Sequence, residues 1–151
     1  MKFSSKALWF LKVQAKRLKI SSKCFFCNIY KWAMYVREIE SDNNPKASAG
    51  TTSAKGVYQF TDASVQTAKN RMSNMGFDNE DIRGIDNNPH NWNDEDADCM
   101  FLSNVFAQRG SDKLLIKIGK GDIDAMKQAY YKFHHTAPDI ATKKRVDNII
   151  V

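Results

Sequence analysis

The chain reads as a mainly α-helical single domain, and three observations lead there. Apolar side chains recur at three- and four-residue spacing through most of its length, capping residues and glycines bracket those stretches, and no alternating run is long enough for a substantial sheet. At 151 residues, 42% of them hydrophobic, the chain buries roughly 68–70% of its unfolded surface and needs neither disulfides nor a metal to hold a core. Seven glycines and three prolines exclude collagen-like and low-complexity classes. No stretch of about 18 apolar residues exists to span a membrane. Residues 1–27 read as a basic N-terminal arm and 28–151 as the domain proper, with no internal repeat.

The arm carries the charge asymmetry. The net charge is +6, yet Met1 to Arg37 holds nine Lys/Arg and no acid, leaving 14 Lys/Arg against 17 acids in the rest. An amphipathic helix is expected from about Ser5 to Ile20, with Leu8, Leu11, Ala15 and Leu18 along one side. Its apolar start, Ala7 to Leu11, breaks at Lys12 after five residues, a poor fit to a cleavable signal peptide. Such a helix can lie on an anionic membrane, meet an acidic partner, or pack on the domain with its lysines solvated. The acidic domain and the lack of a recognition motif argue against nucleic acid. Cys24-Phe25-Phe26-Cys27 has the spacing of half a zinc site, but no second pair of ligands accompanies it; with the isolated Cys99 these read as ordinary thiols, and no metal or cofactor is expected.

The next helix is expected over Asn28–Glu40, with Ile29, Trp32, Ala33, Val36 and Ile39 on its apolar face. A polar loop follows from Ser41 to Lys55, then the short apolar segment Gly56-Val57-Tyr58-Gln59-Phe60, irregular or β-like. Thr61 or Asp62 caps a helix carrying Val65, Ala68, Met72 and Met75, which Gly76 ends. Phe77 to Trp92 reads as loop, with Asn87-Asn88-Pro89 the strongest turn signal. Asn93 caps a helix whose first turn holds Asp94, Glu95 and Asp96, suited to its positive end, and which buries Ala97, Met100, Phe101 and Val105. Lys113 to Ile118 forms a shorter helix, Asp122 caps another bearing Ile123, Met126, Tyr130 and Phe133, and a last helix follows Pro138.

Glu40 closes a helix and opens a polar loop, a placement that presents a carboxylate to a cleft. Negative charge is disfavoured at a helix C-terminus, so Glu40 is expected to hold its proton near neutral pH, as a general acid requires. Glu38 lies about 200° away on the helix and reads as a solvated residue. His134-His135 reads as a polar helix end or a substrate or metal contact, and Trp92 as a core residue or a sugar-stacking one.

The stretch Glu40-Ser41-Asp42-Asn43-Asn44-Pro45-Lys46-Ala47, followed by Ser53-Ala54-Lys55-Gly56-Val57-Tyr58-Gln59-Phe60, resembles the soluble lytic transglycosylase family, whose domain is goose-type-lysozyme-like. The shared pattern is a Glu-Ser pair closing a helix, a Pro and an Ala soon after, a small-residue turn, then Gly-x-x-Gln-hydrophobic. Gly121-Asp122, Ala125 and Ala129-Tyr130-Tyr131 resemble the later Ala-Tyr-Asn element, with Tyr131 in place of Asn. Tyr58 stands where Met is usual.

The resemblance implies a lysozyme-like (α+β) domain that cleaves the β-1,4 bond between N-acetylmuramic acid and N-acetylglucosamine, with Glu40 as sole acid/base. Ser41 would hydrogen-bond near the cleaved sugar or steady the Glu40 loop, Tyr58 and Gln59 would line the cleft and contact acetamido groups, and Tyr130 would reach Glu40 or the sugar. Peptidoglycan strands would be the partner, and other virion or tail proteins could be met through the arm, since small versions without a signal peptide resemble those carried in bacteriophage particles and acting at the cell wall. A lysozyme-type hydrolase needs a second carboxylate, for which Asp42 and Asp62 are the candidates. A non-catalytic glycan-docking virion protein on the same fold is the other alternative.

Overall fold

A computed structural model describes residues 3–151, apart from the side chain of Ser22. The first two residues of the expected arm lie outside it. The described residues form eight α-helices: α1 Ser5–Arg17, α2 Ser22–Ser41, α3 Asp62–Asn74, α4 Asn79–Arg83, α5 Asp94–Phe106, α6 Asp112–Gly119, α7 Ile123–Phe133 and α8 Ile140–Ile149, with one 3-10 turn at Pro89–Asn91.

The sequence of α5 decides the layout. Ten consecutive residues from Ala97 to Phe106 are buried, and a helix without a solvent-facing stripe must be surrounded. α1 and α3 flank it, while α2 packs on α1, α6 and α8. Trp32 of α2 is wholly buried and donates its indole N–H to the Met126 carbonyl of α7 at 2.9 Å, so the polar atom of the largest core side chain is satisfied.

Expected caps hold in place. Thr61 forms a reciprocal capping box with Ser64, Asn93 accepts from the Asp96 N–H and Asp122 from Ala125, and the structure adds Asp139, which accepts from Thr142 at the start of α8. Three stretches differ from expectation. α1 stops at Arg17 rather than Ile20 because Lys19 takes a left-handed backbone, φ 57°. α2 starts at Ser22, six residues early: Phe25 already lies on the face of Ile29 and Trp32 and is buried with them. The expected loop 77–92 contains α4, whose five residues are too few to show a period, with Glu80 and Asp81 at its positive end and Arg83 at its negative end.

The basic arm is a packed helix. Phe3, Ala7, Phe10, Leu11 and Ala15 are buried, and Phe10 meets Phe77 at 5.3 Å and Phe106 at 5.5 Å between ring centroids. α2 runs through residues 27 and 28 unbroken, so the expected boundary falls inside a helix. The three cysteines are free thiols, Cys24 and Cys27 exposed and Cys99 buried. Burial pushes the Cys99 thiol up to about 12.

The short β-like piece amounts to two isolated antiparallel bridges, Ser48 with Lys55 and Lys55 with Phe60. Lys55 and Phe60 exchange both backbone hydrogen bonds at 3.0 Å and close a tight loop around residues 56–59. Gly56 sits at φ 82°, and a Cβ there would lie 3.1 Å from the Pro89 backbone oxygen, so glycine is required twice over.

Candidate active site

Glu40 stands in the last turn of α2, at the wall of an open cleft of about 620 Å³. The cleft is bounded by the 47–54 loop, by Gln59 and Thr61, by the connection from His134 to Asp139 between α7 and α8, and by Thr142 in the first turn of α8.

The end of α2 is held from three sides. Asp42 and Asn43 both adopt left-handed conformations, φ 53° and 60°, which Asp and Asn tolerate better than other side chains. Arg37, buried one turn earlier, donates to the Asn43 side-chain oxygen at 2.8 Å and to Asp98 of α5 at 3.1 Å, and pairs with Asp94. Arg145 of α8 donates to the Glu38 carbonyl at 2.6 Å, to the Ile39 carbonyl at 3.2 Å and to Asp42 at 2.8 Å. The last turn of α2 contains no basic residue of its own, so a guanidinium from α8 supplies the positive charge its carbonyls favour.

Only 9% of the Glu40 side chain is exposed. The Tyr130 hydroxyl of α7 donates to Oε1, and His135 Nδ1 lies 3.1 Å from the same oxygen and 2.9 Å from the Tyr130 oxygen. Tyr130 spends its one proton on Glu40, so Nδ1 of His135 is the donor to both oxygens. His135 Nε2 has no hydrogen-bond partner among the described residues, and the ring is a third exposed at the cleft wall. His134, its neighbour, donates Nε2–H to the Tyr58 carbonyl at 2.8 Å and meets Phe101 edge-on.

These contacts reverse the expected protonation of Glu40. Burial pushes its carboxyl up, but the His135 hydrogen bond, the charge on His134, the Tyr130 hydroxyl and the charge on His135 together hold it below the usual carboxylate range. Burial lowers His134 itself and keeps it neutral near pH 7, so His135 and Tyr130 are the partners that matter there. The Glu40 hydrogen bond and charge raise His135, against the opposing effect of its burial. Burial and the Glu40 charge push the Tyr130 phenol far up, so it acts only as a neutral donor. The pair Glu40–His135 therefore rests as carboxylate and imidazolium over the acidic half of the physiological range and shares one proton.

The other residues singled out in the sequence divide. Gln59 lines the cleft with a left-handed backbone, φ 54°, a conformation costing a non-glycine residue about 1 kcal/mol or more and concentrated at functional sites. Its amide nitrogen donates to the Gly56 and Ala47 carbonyls at 2.8 and 3.2 Å, leaving the amide oxygen without a protein partner among the described residues. Tyr130 is wholly buried and reaches Glu40, but does not line the cleft.

Tyr58 and Ser41 do not line the cleft either. Tyr58 is buried, stacks on Phe101 at 4.4 Å and donates its hydroxyl to Asp98 at 2.6 Å. A phenol that finds a buried carboxylate and a facing aromatic has no reason to turn toward solvent. The Ser41 hydroxyl lies 2.8 Å from the Val57 carbonyl and accepts the Asn44 N–H at 3.2 Å, tying the helix end to the 56–59 loop. Asp42 is occupied by Arg145, and neither it nor Asp62 lines the cleft; Asp139 does, with one oxygen spent on the Thr142 N–H. Trp92 is buried, its N–H on the Asp86 carbonyl at 2.6 Å. His135 comes from the doublet whose sequence reading stayed open between a polar helix end and a substrate or metal contact, and its one local signal is its place after the helix that carries Tyr130.

Among the described residues no group of three or more His, Cys, Asp and Glu is placed to hold a metal ion, and no helix is long and apolar enough to cross a membrane. Comparison with protein-family profiles, with curated proteins and with solved structures finds no match to the chain.

Proposed function

We propose that the cleft is the active site of a glycosidic-bond-cleaving enzyme that works with one carboxylate. The particular activity we assign is that of a peptidoglycan lytic transglycosylase, acting between N-acetylmuramic acid and N-acetylglucosamine. One observation carries the reading: a nearly buried glutamate, joined to a histidine and a tyrosine, faces an open cleft in which the other carboxylate, Asp139, caps a helix. The Glu-Ser and Gly-x-x-Gln resemblance supports the substrate, and a phage particle opening the wall locally is the setting it suggests.

The chemistry follows from one shared proton. A sugar entering the cleft excludes water from Glu40, and loss of water favours the neutral carboxyl, so the proton on His135 passes to Oε1. Glu40 then gives it to the leaving glycosidic oxygen as the C1–O bond breaks. The resulting carboxylate takes the proton of the muramic 6-hydroxyl, whose oxygen forms the new bond to C1 and closes the anhydro ring. No water enters the balance, and Glu40 ends protonated as it began the step. Gln59, through its free amide oxygen, accepts an acetamido N–H.

Mass spectrometry of the products from purified peptidoglycan tests this. Anhydro-muramic ends are expected. Reducing ends that also vanish in Asp139→Asn would instead mark a two-carboxylate hydrolase, with Asp139 rather than Asp42 or Asp62 as its second group. Binding without any product would mark a glycan-docking protein.

A further inference from the structure

The leucine face of α1, left open by the sequence between a membrane, an acidic partner and the domain, packs inside the protein. Ala7, Phe10, Leu11 and Ala15 are covered, with Leu8 and Leu18 packed against the core. The opposite face is the informative one. At 100° per residue, Trp9, Lys12, Val13 and Lys16 fall within one third of the helix circumference, and all four are exposed. Trp9 is 44% and Val13 41% exposed, two of the four large apolar side chains left in solvent among the described residues.

The charges on this helix divide in the same way. At its flanks, Lys6 pairs with Asp81 and Arg17 with Asp112, both through hydrogen-bonded contacts. Lys12 and Lys16 on the strip, and the exposed Lys19 and Lys23 that follow, have no carboxylate within ion-pair distance among the described residues. Lys12 and Lys16 also line a groove with Ile20 and Phe26, which continues the mixture of cation and apolar side chain onto α2.

We propose that this strip docks the protein on the surface of an anionic lipid bilayer. An indole and a valine between ammonium groups match a headgroup layer, where the rings enter the acyl boundary and the amines meet phosphates. A nucleic-acid backbone would engage the lysines but give Val13 and the Trp9 ring no apolar medium. No residue of α1 lines the cleft.

Trp9 supplies its own readout, because Trp32 and Trp92 are buried and only the Trp9 indole is accessible to a quencher. The full chain is mixed with vesicles of phosphatidylcholine alone, or of phosphatidylcholine and phosphatidylglycerol in equal parts. Co-sedimentation and acrylamide quenching are followed. Binding to the mixed vesicles alone is expected, with a blue shift and protection of Trp9. Lys12→Glu/Lys16→Glu should weaken it by about 25-fold or more, at roughly fivefold for each basic charge lost near an anionic surface. Lys143→Glu/Lys144→Glu makes the same change in net charge elsewhere and should weaken it far less. All four positions are exposed, and circular dichroism checks that each variant folds. Absence of binding to the mixed vesicles, equal effects of the two double variants, or duplex DNA binding with Trp9 still quenchable on vesicles would each overturn the proposal.

Discussion

The two ends of the helix hairpin α1–α2 handle charge in opposite ways. Around the turn that joins them, Lys12, Lys16, Lys19 and Lys23 stand in solvent without protein partners among the described residues. Some twenty residues on, roughly 30 Å along α2, Arg37 and Glu40 are drawn inward and matched, while Glu38 between them stays exposed. Arg37 sits between Asp94 and Asp98, Arg145 holds the helix end, and Glu40 lies between Tyr130 and His135. A solvated ammonium is screened by salt and open to an external charge, whereas a carboxylate withdrawn from water acts through whichever groups surround it. The first kind of end suits attachment to a charged surface, the second suits proton transfer.

The largest expected effect sharpens this contrast at the cleft. Glu40→Gln removes the proton carrier and should lower peptidoglycan cleavage by about 10²–10⁴-fold, measured by turbidity loss of purified walls. Full activity in that variant would empty the cleft end of its chemistry. Phe10→Ala tests the other end in a different currency. If α1 is part of the core, truncating this fully buried ring costs about 3–5 kcal/mol in urea denaturation; a loss below about 1 kcal/mol would make α1 a detached arm.

Tyr130→Phe keeps the ring packing and deletes the hydroxyl that donates to Glu40. Cleavage should fall by about tenfold, the equivalent of about 1.4 kcal/mol, with the helical signal intact. An unchanged rate would remove Tyr130 from the site.

The Glu40–His135 pair has a pH signature with a definite sign. His135 is raised, so its contribution to stability is complete below its ordinary value of 6.5 and is lost as pH rises through the raised one. Glu40 is lowered, so its contribution is present above its ordinary value of 4.5 and is lost as pH falls through the lowered one. The stability gap between the natural chain and His135→Gln should therefore be widest between 4.5 and 6.5. It should stay within about 1 kcal/mol, since the imidazole is a third exposed. The alkaline limb of the activity profile should also move to lower pH in that variant. A profile that does not move would leave Glu40 working without His135.

Ser41→Ala is the smallest change. It unties α2 from the Val57 carbonyl and should cost about 1 kcal/mol, read as a lowered melting midpoint, without abolishing cleavage.

Much of the fold was legible because its signals are local. Thr61, Asn93 and Asp122 cap the helices they were expected to cap, and the stripe from Ile29 to Ile39 is buried as its spacing required. Glu40 was legible for the same reason, as a carboxylate between a periodic stretch and a polar loop. Tyr58 was misread as a cleft residue because its partner Asp98 is 40 positions away, and nothing in Gly-Val-Tyr-Gln-Phe announces it. The pairing of His135 with Glu40 was not legible because the two lie 95 positions apart.

By itself, then, the sequence determined where the long helices lie, which side of each is apolar, and that Glu40 stands at the end of one of them. Periodicity and capping depend on neighbours within a turn, so they are written in the order of the residues. Tertiary structure alone decided what covers each apolar side and what surrounds each charge. It buried the leucine face of α1 and left Trp9 and Val13 outside, and it turned Glu40 from an expected neutral acid into a carboxylate paired with His135. A proton's affinity is set by groups within a few ångströms in space, and those groups come together only when the chain is folded.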